Sequence, residues 1–117
     1  GKKVYFNSVR SGQMKIWRMN PDGSNQEQVS FGPFHDWFAH LSPDGTKMIY
    51  VSFPVDVPAN SHPMNKRVTL QVQPTNSKET KVLAYIYGGQ GTMNVPSWSP
   101  DSKTVAFVSY TYGDPNY

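Results

Sequence analysis

Few residues in this chain are of types that do chemistry, and their spacing argues against most of the reactions they suggest. His35, His40 and His62, with Asp36 beside the first, are the one set that could hold a transition metal. In an extended strand His35 and Asp36 point to opposite faces. Asp36 and His40 share a face, but four residues of strand set them about 13 Å apart, too far for one ion. A site would need a bent backbone at 35–36 and a third ligand from His62, so no metal is expected. Asp44 and Asp101 each follow Ser-Pro. Proline pre-sets φ for a turn and Asp hydrogen-bonds the backbone two residues on, so both read as turn residues rather than catalytic acids. No serine lies in Gly-x-Ser-x-Gly. The loop Gly88-Gly89-Gln90-Gly91-Thr92 lacks the Lys-Ser/Thr pair of a phosphate loop and reads as a flexible connection. The absence of cysteine removes thiolate catalysis, disulfides and Cys-ligated zinc. No catalytic residue and no cofactor are expected.

The elements that must position these residues are all strands. Alternating or Val/Tyr/Phe-rich runs predict strands over 3–8, 14–19, 26–31, 37–41, 47–53, 67–73, 81–87, 95–98 and 104–110, and no segment has a helical period. Asn20-Pro21-Asp22-Gly23 and the two Ser-Pro-Asp sites are strong turn signals. With 14% aromatic residues, ten prolines and nine glycines in 117 residues, the composition suits short strands joined by turns rather than disorder. The formal charge of +3 is spread along the chain without a dense basic patch, so no nucleic-acid partner is expected. No apolar run approaches the ~20 residues of a membrane span.

Residues 41–53, LSPDGTKMIYVSF, return at 98–110 as WSPDSKTVAFVSY, and a partial copy opens the chain at 2–8, KKVYFNS. Lys2, Thr46 and Lys103 occupy the same place in the three copies. The second interval is longer than the first, and two loops account for it, one rich in proline after residue 53 and one around Gly88. A period of about 44 residues with four strands per unit marks a β-propeller blade. Labelling the strands of a blade A to D, the chain holds B-C-D, A-B-C-D and A-B. The expected fold is thus all-β, an incomplete propeller of four-stranded antiparallel blades forming a single partial domain over 1–117. The blades fall at about 2–31, 37–87 and 95–110, with a loop insertion at 54–66.

The repeated W-S-P-D-x-K-x-x-A-F-x-S (98–109), L-S-P-D-G-x-K (41–47) and I-W-R-M-N-P-D-G (16–23) resemble the propeller repeats of the TolB-like family. The resemblance covers nearly the whole chain outside the loops. It implies a fragment of just over two blades, a binding role toward protein partners in the cell envelope, and a periplasmic setting. Similar blades occur in oligogalacturonate lyases, some of which use histidines for a metal, and in propeller domains of prolyl-oligopeptidase-like peptidases. Part of a carbohydrate-active, metal-assisted enzyme related to those lyases, or the propeller domain of such a peptidase, is therefore the alternative reading.

In an antiparallel blade the A–B and C–D turns lie on one face of the propeller and the B–C and D–A connections on the other. Both insertions fall on the second face, and irregular loops on a rigid scaffold are where binding residues gather. That face is expected to present Arg10, Gln13, His35, Asp36, Trp37, His62, Gln90 and Asn94 to a protein partner. Two and a quarter blades leave open strand edges and sheet faces. A homo-oligomer, or the remainder of a longer propeller chain, is expected to cover them.

Overall fold

A computed structural model describes residues 2–63, 66–92 and 97–109. Seven strands follow in order: β1 (Val4–Ser8), β2 (Lys15–Met19), β3 (Glu27–Gln28), β4 (His35–Leu41), β5 (Lys47–Phe53), β6 (Lys66–Pro74) and β7 (Lys81–Gly88). They form two antiparallel sheets, β1-β2-β3 and β4-β5-β6-β7, each in sequence order. There is no helix among the described residues. This is the all-β, incomplete propeller expected from the repeat.

The run MIYVSF explains why β5 is the middle of the molecule. Alternate side chains of a strand face opposite ways. Met48 and Tyr50 pack with Ile16 and Val29 of the first sheet. Ile49, Val51 and Phe53 pack the other way with Val57, Val68 and Leu70, against Trp98 and Val105 of the last copy. From Met48 to Phe53 every residue is buried. Side chains of this size contribute about 1.5–3 kcal/mol each when fully buried. The one large polar group among them is satisfied across the junction. Tyr50 donates its hydroxyl to Gln73 Oε1 at 3.0 Å, and Gln73 Nε2 donates to the Val29 carbonyl at 2.7 Å. Burial pushes the Tyr50 phenol up to about 12.

The Ser-Pro-Asp segments are turns held by their own side chains. Asp44 Oδ1 accepts from the Thr46 backbone N–H at 3.0 Å and from the Ser42 hydroxyl at 2.7 Å. Ser42 N–H donates to the Lys47 carbonyl, which closes the hairpin. The second copy repeats this with Asp101, Lys103 and Ser99. Gly45 sits at φ 75° in the first copy and Ser102 at φ 62° in the second. The two turns are joined, because the Asp44 N–H donates to Ser102 Oγ at 3.0 Å.

Three elements differ from the sequence expectation. The third strand shrinks to Glu27–Gln28 because the N–H groups of Val29 and Ser30 both turn onto the one carbonyl of Ile16, at 2.8 and 3.2 Å. Two residues facing one acceptor is bulge geometry, and it ends the regular ladder. β4 begins at His35 rather than Trp37, since His35 pairs with Phe53 and Asp36 with Ser52. It then slips register between Trp37 and His40, with Phe38 at φ 61°. In the last copy the described residues form a single bridge, Trp98 to Val105, instead of a full hairpin.

Candidate functional site

The connections β1–β2, β3–β4 and β5–β6 leave the sheets at one end, as does the chain after β7, and this end carries the residues chosen from the sequence. The structure divides them into three groups. Trp37, His62 and Gln90 come together. The His62 ring stands edge-on to Trp37 with centroids 4.5 Å apart and to Phe38 at 5.4 Å. Its Nδ1 lies 3.2 Å from Gln90 Oε1. Gln90 is exposed and Trp37 half-buried.

His35 and Asp36 do not face solvent. They are 6% and 1% exposed, so the expectation that they present themselves to a partner is corrected. The physical reason is the early start of β4, which carries both between the sheets. His35 Nδ1 accepts the Met14 backbone N–H at 3.2 Å. Asp36 Oδ2 meets Lys15 Nζ at 3.0 Å, and its Oδ1 accepts from the Ser52 hydroxyl at 2.7 Å. Gln71 Nε2 donates to Ser52 Oγ in turn. Burial raises the Asp36 carboxyl, and Lys15 opposes that shift. These bonds engage His35 Nδ1 and both carboxylate oxygens of Asp36, and no three His, Cys, Asp or Glu side chains gather as metal ligands among the described residues.

Arg10 and Gln13 sit apart from the Trp37 group. Arg10 lies along the outer face of the first sheet, with its guanidinium carbon 4.6 Å from the Trp17 ring centroid and its Nη1 donating to Gln26 Oε1 at 2.7 Å. Gln13 Nε2 donates to the Pro33 carbonyl at 2.7 Å. Asn94 lies outside the described residues.

How the two insertions meet has no signature in residue spacing. Gln90 N–H donates to the Pro63 carbonyl at 2.9 Å, so the proline-rich loop and the glycine loop are tied by backbone as well as by His62 and Gln90. Nor is the glycine loop a loose connection. Gly89 N–H donates to Thr92 Oγ1 at 2.9 Å, and Gly88, Gly89 and Thr92 are buried. A Cβ at Gly89 would stand 2.1 Å from the Pro63 oxygen, with φ at 130°. Gly89 is there for the close approach of two backbones.

No protein-family model matches the chain. It is 44% identical over 110 residues to an uncharacterized protein of Agrobacterium fabrum, covering 94% of this chain and 37% of that protein. The solved structure of an Agrobacterium tumefaciens protein described as a putative TolB superposes with a TM-score of 0.89 at 43% identity, over 96% of this chain and 40% of that one. The chain has a TolB-like propeller fold. TolB from Acinetobacter baumannii shares it with a TM-score of 0.65 at 21% identity, over 88% of this chain and 23% of that one. This TolB-like segment therefore spans well under half the length of each of these relatives. Its cross-sheet bonds, Lys15 to Asp36 and Gln73 to Val29, are contacts between successive blades of that fold.

Proposed function

We propose that this TolB-like segment is a non-catalytic binding module that holds a protein partner, in the cell envelope, through its loop-bearing end. The observation that carries the reading is the joining of the two insertions over Trp37 by His62, Pro63 and Gln90. A half-buried aromatic pair beside an exposed amide, fixed by backbone bonds, offers a partner a surface that loses little entropy on binding. The Ser-Pro-Asp turns at the other end are occupied with their own closure. His35 and Asp36 support this end from beneath instead of touching the partner.

The test is a photo-reactive residue placed at Gln90, which cross-links the partner, followed by titration of the purified pair. Gln90→Ala is expected to weaken binding about tenfold, the scale of a modest interface hot spot, while Lys78→Ala leaves it unchanged. A complex that buries the Ser-Pro-Asp turns and leaves Gln90 and residues 54–66 in solvent overturns the reading.

A further inference from the structure

The two blade junctions can be compared position by position. Counting from the Ser-Pro-Asp turns, Leu41 stands where Trp98 stands and Lys3 where Lys47 stands. At the second junction the indole of Trp98 fills its place: Lys47 Nζ lies 5.6 Å from the ring centroid, and Trp98 Nε1 donates to the His40 carbonyl at 2.9 Å. At the first junction leucine replaces the indole, and a cavity of about 500 Å³ opens there. Leu41 and Lys3 both line it, together with Lys2, Tyr5, Arg18 and Thr75. It lies at the turn end of the sheets, opposite the joined loops.

Its described lining carries three cations and no carboxylate. Arg18 is fixed in the wall, since its Nη1 donates to the Thr75 carbonyl at 2.9 Å and to the Tyr5 hydroxyl at 3.3 Å, and its Nε pairs with Glu27. Lys3 Nζ donates to Asn20 Oδ1 at 2.8 Å. The volume falls within the range of about 300–1,000 Å³ usual for small-ligand sites. Cations attract both the face of an aromatic ring and an anion.

We infer that the cavity between Lys3, Arg18 and Leu41 binds an aromatic carboxylate, its ring in the place that Trp98 fills at the next junction and its carboxylate toward Lys2 and Lys3. The chemistry is shared by a free aromatic acid and by a peptide that ends in an aromatic residue. Two probes separate these sources: indole-3-acetate, and Gly-Gly-Trp with a free or an amidated end. Binding is read as amide shifts in the ¹⁵N-labelled protein.

Either probe should move the signals of Lys3, Tyr5, Leu41 and Thr75, and indole or amidated Gly-Gly-Trp should bind at least several-fold more weakly. Leu41→Trp supplies the ring in cis and is expected to weaken the probe about tenfold or more, roughly the loss of one aromatic contact. If that variant fails to fold, Lys2→Met with Lys3→Met, two exposed positions, should abolish the preference for indole-3-acetate over indole. Gln90→Ala should leave the probe's affinity unchanged, which separates this site from the loop-bearing end. No shift with either carboxylate, shifts scattered away from the cavity, or affinity untouched by these variants would overturn the inference.

Discussion

Lys15 Nζ and Asp36 Oδ2 lie 3.0 Å apart with both side chains at 2% exposure or less, so an ion pair shut away from water joins β2 of one sheet to β4 of the next. A buried pair of this kind stabilises little beyond two well-fitted apolar residues, yet breaking it is costly because the survivor keeps its charge in the interior.

Removing one partner should therefore be worse than removing both. Asp36→Val or Lys15→Met is expected to cost about 3–5 kcal/mol, and the double variant Lys15→Met with Asp36→Val to cost clearly less than either single change. Chemical denaturation of the four proteins measures this. Additive losses would show that the pair does not act as a unit.

Acid should weaken the fold through its turns. Ser42 and Thr46 hold the Asp44 carboxyl well below the ordinary 3.8, and Ser99 and the Lys103 N–H do the same for Asp101. A lowered folded value gives stability that is whole above the unfolded value and is lost as pH falls through the folded one. Asp36 works in the opposite sense: its raised value makes stability fall as pH rises from 3.8 toward that value. Thermal midpoints taken from about pH 7 to about pH 2 should decline at the acid end, and more gently in Asp44→Asn. An unchanged slope in Asp44→Asn would remove the turn from the account.

Two glycines at positive φ, one in the β1–β2 connection and one in the glycine loop, offer a contrast. Gly12 sits at φ 104° with open space where a Cβ would go, while Gly89 at φ 130° would drive its Cβ against the Pro63 oxygen. Gly12→Ala is expected to cost about 1–2 kcal/mol, the backbone term alone. Gly89→Ala should cost more than that and should raise hydrogen exchange at Val57 and Ser61, whose turn bonds lie within the loop it displaces. Equal costs would mean that the loops do not depend on each other.

The open face of the first sheet is expected to be covered, by the remainder of a longer propeller chain or, for this chain by itself, by a further copy. Val4 holds the place in the repeat that Met48 holds in β5, where Met48 is fully buried by the neighbouring sheet, yet Val4 is 42% exposed. Sedimentation should show concentration-dependent association, reduced by Val4→Glu. A folded monomer at every concentration would contradict it.

Sequence reading reached the parts set by local rules. The apolar run Met48 to Phe53 marks a strand, and Ser-Pro-Asp carries its turn chemistry in three residues. Both depend on spacing within one hairpin. What escaped was set by contacts between units. Asp36 meets Lys15 across 21 residues, and its burial follows from a strand that begins at His35, two residues ahead of the start at Trp37 that the pattern predicts. The meeting of His62 with Gln90 depends on two loops whose paths no periodicity describes. Trp37, expected at the surface, is half covered, with His62 edge-on to its ring.

The tie between Pro63 and Gln90 has a consequence for how such a protein can change. Two insertions separated by a pair of strands, β6 and β7, behave as one part with two hinges on the scaffold. Shortening either alone strips the other of its anchor and leaves a proline-rich strap open to proteases. A designer moving this end onto another propeller would have to carry both loops together, and drift in one would be expected to leave a matching trace in the other.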